Sequence, residues 1–309
     1  MGILGLLKTG ENLICCDDVS PETYEVFNNI APNYGIHSTF LDVTDTEKLH
    51  SCIENNTKLI WVENPSNTTL KITDICEVAQ VAKEKQVLLG VDNTFLTPYL
   101  QRPLELGADV VMQSATKYIN GHSDIIMGCL CTNKSDVNKE LVLMQVGAGL
   151  NPSPLDCYQT LRGIKTLNLR MDQHLKNSVI LANYLGQHSA VEKVIHPGLK
   201  SHPQHNIFKI QASGHSGIIS FYLKGGSEES EQFLKALKVF TVTEVSGGGE
   251  STAQIPFLMS HKHWKKGRKK QLNITENLVK LSVGLETICD LILDIESALD
   301  SLKPNSKCR

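Results

Sequence analysis

The first half of the chain alternates short apolar runs with longer stretches of helical periodicity. The short runs predict strands; they are NLICC (12–16), IHSTFLD (36–42), KLIWVE (58–63), the apolar VLLGVD (87–92) and the β-branched DVVMQS (109–114). The stretches between them predict helices; they are PETYEVFNNIA (21–31), DTEKLHSCIENN (45–56) and ITDICEVAQVAKEKQ (72–86). Strands that alternate with helices indicate right-handed crossovers and a mostly parallel sheet with helices on both faces. We therefore expect an α/β fold in this half.

The pattern changes after about residue 155. A long stretch of helical periodicity (155–185) predicts a bridging helix, and ETICDLILDIESALDSL (286–302) predicts another helix. The predicted strands of this half are GIISFYL (217–223), KVFTV (238–242) and LVKLSVG (278–284). We expect a large domain over residues 1–165 and a smaller α+β domain over residues 166–309, whose last residues, KPNSKCR (303–309), fray.

Composition and charge exclude some classes of function. The 309 residues are 41% hydrophobic and 20% charged, which predicts a real core. The net charge of −3 argues against nucleic acid or a membrane surface as the partner. The nine cysteines show no CxxC and no metal-type spacing, so we expect reduced thiols, no metal site and a cytoplasmic protein.

Charged side chains lie where three of the predicted strands end. Glu63 and Asp92 end two strands, and Lys117 follows a third, between the hydroxyls of Ser114 and Thr116. The carboxyl ends of parallel strands meet at one edge of a sheet, where ligands bind. A lysine at such a position is costly unless it is paired or used chemically.

A lysine, an acid and hydroxyl groups are what pyridoxal 5'-phosphate (PLP) requires. PLP forms a Schiff base with a lysine, needs a carboxylate beside its pyridine nitrogen, and needs hydroxyl or backbone N–H groups for its phosphate. A plain ion pair between Asp92 and Lys117 at the edge of the sheet also fits this spacing. Spacing alone leaves both interpretations open.

Four longer strings resemble the Cys/Met-metabolism family of PLP-dependent enzymes. They are VDNTF (91–95), SATKYINGHSD (114–124), PGLKSHPQH (197–205) and KLSVGLE (280–286), and the resemblance extends over nearly the whole chain. It implies the type I fold of PLP-dependent transferases. It also implies that Lys117 carries the cofactor and that Asp92 holds the pyridine nitrogen. By the same resemblance, Ser114 and Thr116 bind the phosphate and Asn67 approaches the ring.

The sequence departs from the family pattern at several of its site positions. Family members carry a further N-terminal segment that holds the phosphate and reaches a neighbouring subunit; this sequence, which begins MGILGLLKTG, lacks it, so we expect weaker cofactor binding. Ser20 stands where the family has a tyrosine that stacks on the ring, and Tyr24 is displaced from that position by four residues. Lys280 replaces an arginine that clamps the substrate carboxylate, so the charge remains without the bidentate fork. Glu244 is retained, and we expect Glu244 and Lys280 to contact substrate.

The resemblance implies a PLP-dependent carbon–sulfur lyase that cleaves L-cystathionine to L-cysteine, 2-oxobutanoate and ammonia, in transsulfuration and cysteine biosynthesis. Two alternatives stay open: a γ-synthase or methionine γ-lyase-like enzyme, and an impaired or inactive paralogue. The expected partners are a small amino-acid substrate and further copies of the chain, as a dimer or tetramer, or full-length relatives. Neither nucleic acid nor a membrane is expected.

Three further features favour plain structural roles. HKHWKKGRKK (261–270) has six Lys or Arg residues in ten, and we expect a solvated loop rather than a patch for nucleic acid or lipid. His202 and His205 favour a surface turn over a metal site. His122 favours a histidine that supports its own loop over one that touches the site.

Overall fold

Six strands of the N-terminal half pair into one sheet in this computed structural model, which describes residues 1–302. They are β1 (Asn12–Cys16), β2 (His37–Leu41), β3 (Thr57–Glu63), β4 (Leu88–Asp92), β5 (Val110–Ser114) and β6 (Gly128–Cys131). Their order in space is β2-β1-β3-β4-β5-β6, and every neighbouring pair is parallel except β5 with β6. The expected mostly parallel sheet is therefore confirmed. The short strand β6, GCLC, lacks the β-branched residues by which the other five were recognised.

Helices and helical turns connect these strands. The helices are α1 (Pro21–Glu25), α2 (Thr46–Cys52), α3 (Ile75–Lys85), α4 (Thr97–Leu100), α5 (Ser135–Gly147) and α6 (Pro154–Gly163). Asp45 and Asp74 start α2 and α3, because each carboxylate accepts a hydrogen bond from the backbone N–H three residues later. Leu13, Ile60 and Val91 of the central strands are completely buried, as expected of parallel strands covered on both faces.

The long helix predicted over residues 155–185 is in fact two helices. Helix α6 ends at Gly163, a 3₁₀ turn follows over Ile164–Thr166, and α7 (Leu167–Gln187) begins after it. A Cβ at residue 163 would lie 2.3 Å from the carbonyl oxygen of Asn120, so only glycine permits this close approach. Arg170 then donates a hydrogen bond to the carbonyl oxygen of Gly163. The helix therefore breaks where the chain packs against the segment that follows β5.

Five strands of the C-terminal half form a second sheet. They are β7 (Val191–Ile195), β8 (Ile218–Leu223), β9 (Thr241–Val242), β10 (Thr252–Gln254) and β11 (Leu278–Ser282), in the order β7-β8-β11-β10-β9. The accompanying helices are α8 (His205–Gln211), α9 (Ser227–Ala236), α10 (Lys266–Gln271) and α11 (Ile288–Asp300). This mixture of mainly antiparallel strands and helices agrees with the expected smaller α+β unit.

The predicted strand KVFTV (238–242) is formed only at Thr241–Val242. The carboxylate of Asp294 on α11 accepts hydrogen bonds from the backbone N–H groups of Lys238, Val239 and Phe240. Those groups cannot also join a sheet ladder. The predicted frayed tail, KPNSKCR, lies outside the described residues. Within residues 1–302, no helix is both long enough and apolar enough to cross a bilayer.

Candidate active site

The carboxyl ends of β3, β4 and β5 lie side by side at one edge of the N-terminal sheet. Glu63 is the register partner of Asp92, and Asp92 is the partner of Met112, two residues before Ser114. The backbone N–H of Ser114 donates to the Thr94 hydroxyl at 2.8 Å, and the N–H of Thr94 donates to Asp92 Oδ1 at 2.9 Å. Thr94, which the sequence did not single out, therefore joins the two strand ends.

Asp92 is a buried carboxylate, with only 4% of its surface exposed. Burial raises the pKa of the Asp92 carboxyl to about 6, although the hydrogen bonds from Thr94 and the charge of Lys117 oppose the rise. At neutral pH the group is ionised and incompletely compensated. Such a carboxylate is suited to hold a positively charged partner.

Lys117 lies in a π-helical turn, Ala115–Ile119, directly after β5. Within residues 1–302 its amine takes part in no hydrogen bond or ion pair. The structure thus contradicts the alternative in which Asp92 and Lys117 form a plain ion pair. Gly247 packs against the lysine: its φ is +81°, and a Cβ there would lie 2.8 Å from the Cβ of Lys117. The loop that follows β9 therefore packs against the base of the Lys117 side chain.

The two hydroxyls beside the lysine differ in their surroundings. The hydroxyl of Thr116 donates to the carbonyl oxygen of Met127 at 3.3 Å and accepts from the N–H of Met127 at 3.0 Å. It fastens the turn to the residues before β6. No hydrogen bond of the Ser114 hydroxyl occurs in the described part of the chain. Ser114 is therefore the freer donor for an anion, and the phosphate roles of Ser114 and Thr116 both stay predictions.

A chain of hydrogen bonds links Lys280 to the edge of the sheet. Lys280 Nζ donates to Asn67 Oδ1 at 3.1 Å, and Asn67 Nδ2 donates to Glu63 Oε1 at 3.0 Å. Burial lowers the pKa of Lys280 to about 8, although the charges of Glu63 and Asp18 oppose the fall. Burial, together with the charge of Asp92, raises the pKa of Glu63 well above its usual range. The predicted residues Asn67 and Lys280 are thus in direct contact.

Asp18 anchors the loop that carries Asn67. This completely buried carboxylate accepts hydrogen bonds from the hydroxyls of Ser66 and Thr69 and from the backbone N–H groups of Thr68 and Thr69. The N–H of Asn67 donates to the carbonyl oxygen of Asp18. Sequence reasoning missed this residue. Its position directly after β1, at the carboxyl end of a predicted parallel strand, was a usable signal.

Ser20 and Tyr24 do not supply an aromatic face to the site. The Ser20 hydroxyl accepts from the N–H of Thr23 and caps α1, while its own N–H donates to Glu63 Oε2 at 2.7 Å. The Tyr24 ring packs against the rings of Phe40 and Trp264. Neither side chain is therefore available to stack on a cofactor ring.

Glu244 is exposed and lies three residues before Gly247. Among the described residues no hydrogen bond or ion pair joins it to Lys117, Asn67 or Lys280. Its expected contact with substrate stays a prediction. His122 is exposed, and its Nδ1 lies 2.7 Å from the carbonyl oxygen of Asn120, as expected of a residue that supports its own loop.

Two expectations about surface segments are wrong. The basic run 261–270 is not simply a solvated loop, because His261, Trp264 and Lys269 are buried and α10 begins within it. His202 is buried rather than part of a surface turn, and its Nε2 lies 3.0 Å from the carbonyl oxygen of Leu70. In residues 1–302, no cluster of three His, Cys, Asp or Glu side chains could hold a metal ion.

The donor set at the strand ends fits PLP at three points. Lys117 offers an unpaired amine for the aldehyde carbon, and Asp92 offers a buried carboxylate for the pyridine nitrogen. Ser114 offers a free hydroxyl for the phosphate. These three groups come from the ends of two adjacent strands and the turn after them.

Comparison with known proteins agrees with this assignment. The chain matches the sequence model of the Cys/Met metabolism PLP-dependent enzymes over residues 1–300. It is 46% identical over 303 residues to the cystathionine gamma-lyase of Mus musculus, covering 98% of this chain and 76% of that protein.

Two solved structures share the fold. Cystathionine gamma-lyase from Lactobacillus plantarum, complexed with L-serine, has a TM-score of 0.95 at 34% identity, over 98% of this chain and 79% of that one. MetB from Corynebacterium glutamicum has a TM-score of 0.92 at 39% identity, over 97% and 79%. The expected fold class is thereby confirmed.

Proposed function

Because the chain belongs to the Cys/Met metabolism family of PLP-dependent enzymes, we propose that it is a carbon–sulfur lyase of the cystathionine gamma-lyase type. Its reaction is the cleavage of L-cystathionine to L-cysteine, 2-oxobutanoate and ammonia. The observation that carries this proposal is the unpaired amine of Lys117 near the buried carboxylate of Asp92, at neighbouring strand ends. An amine free of ion pairs is what a covalent role requires.

When bound, PLP supplies an electron sink that stabilises negative charge on carbon atoms of the amino acid attached to it. Asp92 would hold a proton at the pyridine nitrogen, because its carboxylate is ionised at neutral pH and buried. Lys117 Nζ would first hold the cofactor and then carry protons to and from the substrate. Gly247, packed against the Cβ of Lys117, would hold the base of that side chain in place.

Lys280 would bind the carboxylate of the amino acid, with Asn67 orienting its ammonium group. Asn67 would also approach the cofactor ring, with Ser114 and Thr116 beside the phosphate. Glu244, in the loop that leads to Gly247, would contact substrate from the other side. An ammonium supplies a point charge rather than a fork, so substrate orientation would depend on the Asn67–Glu63 chain.

The impaired-paralogue alternative draws support from one contact. Ser20, at the position of the family's stacking tyrosine, is used as a helix cap, and the Tyr24 ring packs on Trp264 instead. Without an aromatic side chain stacked on it, the pyridine ring of the cofactor would be held less firmly, which would reduce both cofactor affinity and turnover. This alternative predicts that the fold persists without a stoichiometric cofactor.

One labelling experiment distinguishes the active lyase from the inactive paralogue. The purified protein is incubated with PLP, reduced with borohydride, digested and mapped by mass spectrometry. We expect one label per chain, on Lys117, and none in Lys117→Ala; the exposed Lys165→Ala is the matched control and keeps the label. Absence of any label supports the inactive paralogue. Product analysis with L-cystathionine, an O-acylhomoserine and methionine then decides among lyase, synthase and methionine γ-lyase activities.

The proposal includes self-association. Large apolar side chains are exposed along α5 and α6, among them Leu143 (64%), Val146 (73%), Leu155 (64%) and Leu161 (65%), a surface of the kind that marks an interface. Light scattering should therefore report a dimer or tetramer, and Val146→Asp should shift it toward monomer. A monomeric wild-type protein contradicts this part of the proposal.

The proposal also includes a cytoplasmic location and two domains, the cofactor domain over residues 1–165 and the small domain over 166–309. The two separate sheets support the division. The eight cysteines of residues 1–302 are all free, which suits a reducing compartment. Limited proteolysis near residue 165 and localisation of a tagged protein would test these two statements.

A further inference from the structure

Arg268, from the basic run 261–270, lies among three aromatic rings. Its Cζ is 4.2 Å from the ring centroid of Tyr24, 4.7 Å from that of Phe40 and 4.5 Å from that of Trp264. The Tyr24 and Trp264 centroids are themselves only 4.6 Å apart. A guanidinium so close to three ring faces makes favourable cation–π contacts. We call these four side chains the aromatic clamp.

The clamp joins the two halves of the chain. Trp264 and Arg268 belong to α10 and the turn before it, whereas Tyr24 belongs to α1 and Phe40 to β2. Arg268 Nη2 also donates to the carbonyl oxygen of Asp17 at 2.6 Å. One side chain of the C-terminal half therefore touches both ends of the segment from Asp17 to Tyr24.

That segment carries two groups that support the candidate site. Asp18, next to the residue that Arg268 bonds, anchors the Asn67 loop. Ser20, whose carbonyl oxygen accepts the N–H of Tyr24, donates its own N–H to Glu63. Glu63 in turn accepts from Asn67, the partner of Lys280.

A second route leads from the clamp to the same loop. The Trp264 ring lies edge-on to His261 at 4.3 Å between centroids, and His261 Nε2 lies 3.5 Å from the hydroxyl of Thr68. Thr68 adjoins Asn67. The clamp thus bears on the Asn67 loop both through the Asp17–Tyr24 segment and through His261.

We propose that Arg268 is a positioning residue for substrate binding: it fastens the Asp17–Tyr24 segment to α10 and so holds Glu63, Asn67 and Lys280 in register. The consequence for substrate rests on the proposed lyase function, but the mechanical part does not. Arg268 touches neither Lys117 nor Asp92, so we expect borohydride labelling of Lys117 at saturating PLP to persist without it.

Hydrogen exchange tests the mechanical part on the full chain. In Arg268→Met, which keeps the length of the side chain but removes its charge and donors, amides of residues 17–24 and 63–69 should exchange about tenfold faster, as expected for loss of a partly desolvated cation–π contact. Strands β4 and β5 should be unchanged. Arg268→Lys, which keeps a cation among the rings, should restore part of the protection, and the exposed Lys266→Met should behave as wild type. Faster exchange throughout the chain, or unchanged exchange in those two segments, overturns the proposal.

Steady-state kinetics test the consequence for substrate. We expect Arg268→Met to raise the KM for L-cystathionine about tenfold with kcat unchanged, and to keep the borohydride label on Lys117. An unchanged KM, or a fall in kcat alone, contradicts the role in substrate binding. If the wild-type protein does not turn over L-cystathionine, the proposed function fails, while the exchange comparison still decides the positioning role. Tyr24→Leu, which removes a ring from the other half, should reproduce both effects if Arg268→Met does not fold.

Discussion

Replacement of Asp92 by asparagine should stabilise the cofactor-free protein while weakening its hold on PLP. Asparagine keeps the shape of the side chain and can still accept the hydrogen bond from the N–H of Thr94, but it carries no charge. In the wild-type protein, burial raises the pKa of Asp92 from 3.8 to about 6. The ionised carboxylate is thus less favourable in the folded chain than in the unfolded one.

The size and pH window of the effect follow from that shift. A shift of about two units corresponds to about 3 kcal/mol, at about 1.4 kcal/mol per unit. Because the folded pKa is the higher one, the unfavourable contribution is absent below pH 3.8, grows between 3.8 and about 6, and is complete above it. Asp92→Asn should therefore be more stable than wild type by up to about 3 kcal/mol at pH 7.5, and the gain should shrink as the pH falls through 6.

The assay is urea unfolding of the cofactor-free proteins at pH 5 and 7.5, with the exposed Glu54→Gln as the matched control. PLP titration of the same samples should show affinity reduced about 10- to 100-fold in Asp92→Asn, as expected for loss of a charge-assisted hydrogen bond. A variant that is no more stable than wild type at pH 7.5 would refute the view that Asp92 is held at a cost to stability for the sake of binding. Retained affinity would refute its role at the pyridine nitrogen.

Other substitutions test the contacts around the site. Asp18→Ala leaves buried hydroxyl and N–H donors without an acceptor, so urea unfolding should show a loss of about 3–5 kcal/mol; a loss below about 1 kcal/mol would contradict the anchoring role. Burial sets the pKa of Lys280 at about 8, so its positive charge is lost as the pH rises through 8, and the KM for L-cystathionine should rise above that pH. Lys280→Arg should remove this rise, and a pH-independent KM in the wild type would contradict the assignment. Gly247→Ala places a methyl group 2.8 Å from the Cβ of Lys117, so borohydride labelling of Lys117 should fall, whereas Gly267→Ala, where nothing lies within 4 Å, should label normally.

The sequence predicted those parts of the molecule that depend on local periodicity. Four of the five parallel strands are largely buried apolar runs, whereas the edge strand β2 is only partly buried. The meeting of Glu63, Asp92 and Lys117 at one edge follows from parallel pairing alone. The residues that failed to follow local pattern are held by distant partners. Lys238–Phe240 do not form the predicted strand because their backbone N–H groups bond the carboxylate of Asp294. The predicted long helix is interrupted where Gly163 meets Asn120.

For the same reason, the spacing of residues along the sequence could not predict the hydrogen-bond partners at the site. Lys280 bonds Asn67 and Ser20 bonds Glu63 across large sequence separations, and only the folded chain fixes such pairs. Charge counting in the basic run likewise gave no indication that Arg268 lies among rings from three different segments.

The contact of Gly247 with Lys117 has a consequence for biosynthesis. A ribosome that has completed all six strands of the first sheet has produced Lys117 but not yet the glycine that packs against its Cβ. Until translation passes residue 247, which lies between β9 and β10, the base of that side chain lacks this contact. The surroundings of Lys117 are thus completed late in the synthesis of this chain, and a chain that ended before residue 247 would lack one of its packing contacts.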